Sequence, residues 1–207
     1  ATCADNCIVF RNTIDYCIKT IELEENNLAA YLLLARGNRG QKDNINAIIN
    51  LSTVISIKDD FAQAYLLRAE ILKEMNEYSS ALEDVEKVLE LMPEEEAAYL
   101  LRGKLKEQNE LFDEASADYS NVIELNPFNE QAYLYLGQLL ITEKKYDEAI
   151  EHFDEAIELK ENFSQAYHER GRAKFLNNDK EGSLEDMKKA MELDPKAEEN
   201  VNGQFNN

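Results

Sequence analysis

Few residues in this chain have the types and spacing that chemistry requires. Its 207 residues include three cysteines, Cys3, Cys7 and Cys17, and two histidines, His152 and His168. Cys3 and Cys7 stand four apart, so on a helix they share a face and could act as a pair of metal ligands. A zinc site needs further ligands, and neither a His nor a second Cys pair lies nearby, so no metal is expected. Cys17 falls in a core register and reads as a small apolar residue. An odd cysteine count suits a reducing, cytoplasmic compartment, while Cys3–Cys7 pairing in an oxidising one stays open. Removal of a signal peptide ahead of Ala1 stays open as well. The chain has no Gly-rich phosphate loop, nucleophile elbow or His/Glu metal helix. The expectation is a non-enzymatic protein with no cofactor.

The charges say more. There are 42 Asp and Glu against 22 Lys and Arg, a net charge of -20. Such acidity argues against nucleic acid, whose phosphates require a basic surface, and against anionic membranes. No apolar run reaches membrane-spanning length. Within this acidic background, Arg68, Arg102 and Arg170 are each followed sixteen residues later by Asp84, Asp118 and Asp186. Where the arginine is missing, so is the aspartate: Leu34 goes with Asn50, and Leu136 with His152. One reading makes the arginines ligand hooks. The other, favoured here, is a half-buried ion pair joining two antiparallel helices, because a buried arginine alone is costly.

The elements that must position these groups follow from a spacing of 34 residues. Tyr31, Tyr65, Tyr99, Tyr133 and Tyr167 each follow an alanine and recur at that step without insertion. Ala47, Ala81, Ala115 and Ala149, with Ser183, keep the same step, as do Ile57, Leu91, Leu125, Leu159 and Leu193. A fixed period of about 34 residues signals a helical repeat array. Each repeat has two amphipathic halves. In the fourth, Tyr133, Leu136, Gly137 and Leu140 fall on one stripe, and Ala149, Ile150, Phe153, Ala156 and Ile157 on another. Such a pair cannot bury its stripes alone and must stack. Ala35, Ala69, Gly103, Gly137 and Gly171 share a place where two helices approach closely. Pro93, Pro127 and Pro195 end second helices. Asp59 and Glu161 replace proline in the first and fourth repeats, so those ends are expected to be less sharply defined.

The repeats run 28–61, 62–95, 96–129, 130–163 and 164–197. Residues 1–27 align with the second half of a preceding repeat, a solitary helix reaching about Glu25 and capped by Asp5 or Asn6. Residues 198–207 form a short cap or tail.

The pattern resembles the tetratricopeptide repeat family. It is fullest in the fourth repeat, with Tyr133, Leu136-Gly137, Tyr146, Ala149, Phe153 and Ala156. The resemblance implies an all-α fold, an α-solenoid of stacked antiparallel helix pairs wound into a right-handed superhelix. It also implies that first helices line a concave groove that holds a protein or peptide segment. By that resemblance one groove column is Leu32, Leu66, Leu100, Leu134 and His168. A second is Arg36, Glu70, Lys104, Gln138 and Arg172, and a third is Arg39, Lys73, Glu107, Ile141 and Phe175. The alternative is that the leucines simply pack as core. Basic residues gather in these columns of an acidic chain, so an apolar segment with some acidic character is the expected partner. The carboxylate clamp of the family's chaperone-binding branch is not met, since its lysine positions hold leucines. A self-assembling module or homo-oligomer, and a regulatory repeat region of a larger protein, are the alternative functions.

Overall fold

The computed structural model describes residues 14–195. Residues 14–23 form a helix, α1. Ten more follow: α2 (Leu28–Gly40), α3 (Asn44–Ile57), α4 (Ala62–Glu74), α5 (Tyr78–Leu91), α6 (Glu96–Gln108), α7 (Phe112–Leu125), α8 (Glu130–Thr142), α9 (Tyr146–Leu159), α10 (Ser164–Leu176) and α11 (Lys180–Leu193). The described residues contain no strand. From α2 onward, helices of 13 and 14 residues alternate. Cys3, Cys7, the N-caps expected at Asp5 or Asn6, and the segment 198–207 lie outside the described residues.

The turns explain how the period is kept. Asn27, Asp43, Asn129 and Asp179 start helices by accepting from the backbone N–H three residues further on, which satisfies donors the helix cannot pair. Each first helix ends in a turn whose third residue has positive φ: Lys42, Asn76, Glu110, Lys144 and Asn178, all between 60° and 68°. After Lys42, Asn76, Lys144 and Asn178 the next N–H reaches back to a helix carbonyl, as from Asp43 to Asn38 at 2.9 Å and from Lys145 to Leu140 at 2.9 Å. This is the Schellman closure, here made without glycine.

The expectation that α3 and α9 would end less sharply is corrected. Both stop at the register of the proline-terminated helices. Lys58 N–H donates to Val54 O at 2.9 Å and Lys160 N–H to Ala156 O at 3.1 Å. Their cap residues have φ of -143° and -144°, against -137° and -144° at Met92 and Asn126, which precede prolines. The common stop coincides with Phe61 and Phe163, whose carbonyls and positions begin the next first helix, so the turn geometry is set by where that helix starts.

The chain divides into two compact units between Glu110 and Leu111. In the first, Ala35, Ala47, Leu51, Val54, Ala64 and Ile71 make one core from α2, α3 and α4. Ala62, Ala69, Ala81, Val85, Val88, Ala98, Leu101 and Leu105 make a second from α4, α5 and α6. In this unit α3 and α5 are thus each sandwiched between their own first helix and the next one. In the second unit Tyr119 and Phe153 are the largest fully buried side chains. A Cβ placed on Gly137 would lie 2.6 Å from the Phe153 ring, which is why α8 has glycine where α9 crosses it.

Candidate functional site

The arginines are the most firmly held polar groups. Arg68 on α4 grips Asp84 on α5 with two parallel bonds, Nε to Oδ2 at 2.7 Å and Nη2 to Oδ1 at 2.6 Å. Its remaining amino group donates to Ser52 Oγ on α3 at 2.8 Å. The Arg68 side chain is 21% exposed and that of Asp84 only 6%. Arg170 repeats the arrangement in the second unit, with Asp186 at 2.9 and 2.6 Å and Asp154 at 2.5 Å. Lys174 adds a contact to Asp186 at 2.8 Å. Each guanidinium also lies near the face of the tyrosine three residues earlier, Tyr65 or Tyr167. Such fork-on-fork pairs are strong and directional. A guanidinium occupied on both edges and one face has little left for a ligand. These arginines therefore act as ties between a first helix and the second helices on either side. Arg102 lies on α6 and the buried Asp118 on α7.

Where the ion pair is missing, the helix finds another solution. Asn50 donates to the Asn46 carbonyl of its own helix at 2.7 Å. The half-buried His152 ring tilts against Tyr133 with centroids 6.1 Å apart, and burial holds its pKa below the usual histidine value despite nearby glutamates.

The columns on the first helices separate into different environments. In the first unit, Leu32 packs against the first core and Leu66 against the second, each keeping part of its surface in solvent. Leu100 is also half-buried. Arg36 is exposed, and Lys73 and Lys104 are half-buried. Burial lowers the Lys73 pKa, the Lys104 cation lowers it further, and Glu70 and Glu74 oppose these effects. Both glutamates are already engaged by Arg39, at 2.6 Å each. Lys73 is thus an ammonium in a partly dry position whose nearest carboxylates serve another cation.

In the second unit Leu134 is fully buried, which corrects the expectation that it lines an open groove. Its helix α8 has no charged side chain between Glu130 and Glu143 and is packed by α7, α9 and α10. A helix apolar over most of its circumference is buried on most of its faces, and α8 buries Leu134, Leu139 and Ile141 as well as the usual stripe. Around it sits a polar cluster. Glu169, only 12% exposed, accepts from Arg172 at 3.1 Å and lies 3.8 Å from His168 Nδ1, and the Gln138 side chain adds a smaller influence that favours its charged form. Burial alone would raise its pKa, but these donors together hold it below the usual carboxylate value. Phe175 stands exposed on the same helix.

Three features were missed in reading the sequence. Arg39 reaches Glu70 and Glu74, which are 31 and 35 residues away. That is one period minus three and one period plus one, so the two glutamates sit one turn apart on the next first helix. Ser52 and Asp154 share a spacing of sixteen residues before the arginine, but their different types hide the pattern. Glu169 sits where the other repeats have Leu33, Leu67, Leu101 and Tyr135, a substitution visible in the alignment. No group of three His, Cys, Asp or Glu among the described residues could hold a metal ion. No helix among them is long and apolar enough to cross a membrane.

Comparison with known proteins gives a consistent result. Family models of the tetratricopeptide repeat match residues 62–95, 100–165 and 164–197. No curated protein matches. A tetratricopeptide repeat protein from Parabacteroides merdae has the same fold at a TM-score of 0.77 and 22% identity, over 87% of this chain and 72% of that one. YrrB, described as a TPR protein with an unusual peptide-binding site, matches at 0.66 and 20% identity, over 91% and 97%. MamA from Desulfovibrio magneticus matches at 0.67 and 18% identity, over 92% and 96%.

Proposed function

The chain belongs to the tetratricopeptide repeat family and is a protein-interaction scaffold, and from that premise we propose that its first-helix face binds an acidic, apolar-anchored segment of another protein. Within the first unit this face carries Leu32, Leu66 and Leu100 with Arg36, Lys73 and Lys104 beside them. The observation that carries the reading is Lys73. Its charge is disfavoured by burial and by Lys104, so a carboxylate brought by a partner would relieve both. Half-exposed leucines on successive helices supply places for apolar anchors, in the manner of a segment laid along a groove. YrrB, described as having an unusual peptide-binding site, is a protein of this fold that takes a peptide. In the second unit Gln138, His168 and Arg172 surround Glu169 and would favour a different, hydrogen-bonding contact.

The test is selection of peptides from a random library by the intact chain. Selected sequences should combine apolar residues with Asp or Glu, and Lys73→Glu should weaken them at least tenfold without changing the thermal melt. Peptides of no charge bias, or binding indifferent to Lys73→Glu, would remove this face as the site. Lys73→Glu is preferred to a leucine substitution because Leu66 also packs on the core.

A further inference from the structure

We infer that the face shared by α4 and α6 holds a site for a phosphate group carried on a serine or threonine of the bound segment, built from Lys73, Lys104 and Gln108. The site rests on the proposed peptide groove and deepens it, by naming the group that the groove's cations receive. Successive repeats differ here. Between α2 and α4 the contact is a forked ion pair, in which Arg39 Nη1 donates to Glu70 Oε2 and Nη2 to Glu74 Oε1, each at 2.6 Å. One period later, Arg39, Glu70 and Glu74 become Lys73, Lys104 and Gln108. A cation facing two carboxylates is thus replaced by a cation facing a second cation and an amide. The packing beneath is built alike in both places, from α2, α3 and α4 in one and from α4, α5 and α6 in the other, and α4 lies against α6.

Like charges at a contact position repel unless an anion joins them. The Lys73 ammonium is subject to this: burial disfavours its charge most, and the Lys104 cation adds to the effect. Glu70 and Glu74, which flank Lys73 on its own helix, are bound by Arg39. A partner carboxylate brings one charge and two oxygens. A phosphorylated side chain brings about two negative charges at neutral pH and three strong acceptor oxygens, enough to bridge both ammoniums and accept from the Gln108 amide. A protein segment is the carrier that fits, because Leu66 and Leu100 stand half-buried on the same two helices. The net charge of -20 repels nucleic acid and anionic membranes.

The probes are two pools of fluorescein-labelled nonapeptides that differ only in the central residue, phosphoserine or glutamate, with Leu, Phe, Ala, Asp and Gly mixed at the other positions. Titrated with the full chain and followed by anisotropy, the phosphoserine pool should bind at least tenfold more tightly. Lys73→Gln and Lys104→Gln should each reduce that lead below threefold, with an unchanged fold by circular dichroism. Gln108→Glu, at an exposed position, should do the same by placing a carboxylate in the site. Pools of equal affinity would overturn the phosphate site and leave the acidic-segment function standing. A phosphoserine lead that survives all three variants would overturn it too, because the phosphate would then sit elsewhere. So would saturation by neither pool, in which case the random-library selection decides separately whether this face takes a peptide. In a second arm, phosphatidylcholine vesicles doped with phosphatidylinositol 4-phosphate should retain no more of the chain than undoped ones; retention that Lys73→Gln abolishes would assign the site to a membrane instead.

Discussion

Asp84→Ala measures what the arginine ties contribute. The substitution removes both bonds to Arg68 and leaves a cation on a side chain that is 21% exposed. Breaking a fully buried pair costs about 3–5 kcal/mol, because the surviving charge is uncompensated. Arg68 keeps Ser52 at 2.8 Å and the Tyr65 face at 5.7 Å, and water reaches part of it. Each consideration trims the loss, and about 2–3 kcal/mol is the expected destabilisation. Urea titration of the intact chain, followed by circular dichroism, would read it as a lowered midpoint. Asp84→Leu with Arg68→Met should recover much of the loss, since an apolar pair leaves nothing buried and unpaired. A loss below about 0.5 kcal/mol would class the tie with exposed ion pairs and refute the argument, and a double variant as unstable as the two singles combined would show that the contact is packing alone.

Three further outcomes are expected. Gly137→Ala gains helix propensity, but its Cβ would stand 2.6 Å from the buried Phe153 ring; overpacking should win and lower stability by about 1–3 kcal/mol, so an unchanged urea midpoint would show that α9 yields readily. Lys144 holds a φ of 64°, which an L-residue other than Asn adopts at a penalty of roughly 1–2 kcal/mol; Lys144→Gly should therefore raise the melting temperature, while Asn178→Gly should do little. Burial would raise the Asp186 pKa, but bonds from Arg170 and Lys174 outweigh it and lower the value. A lowered carboxylate pKa contributes stability above the unfolded value and loses it as pH falls through the folded one. The stability advantage of the unmodified chain over Asp186→Asn should hold steady from neutrality to about pH 5 and shrink below about pH 4; an advantage independent of pH would place the effect in packing instead.

The period was legible because it is a property of the backbone. Helices of fixed length and identical turns repeat only if the residues that end them recur at the same step, and Tyr31 through Tyr167 mark that step directly. The Arg–Asp pattern was legible for a related reason: a charge that folding buries constrains its neighbour's type, so the two vary together. The failures share the opposite cause. Ser52 and Asp154 meet their arginines at the same spacing, but these positions remain partly wet, and either a hydroxyl or a carboxylate serves. The second-helix ends at Lys58 and Lys160 needed no proline because the following first helix fixes them. Leu134 is the most instructive error. It shares residue type and register with Leu66 and Leu100, yet it is buried and Leu66 and Leu100 are not. Register says which way a side chain points from its own helix, and burial depends on what the neighbouring helices place in front of it. In α4 and α6 the surrounding positions hold Glu70, Lys73 and Lys104, which need water and keep the face open. In α8 they hold Gln138 and Ile141, and the face closes. A column of equal residues is therefore a binding surface only where charged neighbours prevent it from becoming core, which is why the proposed peptide contact is assigned to α2, α4 and α6.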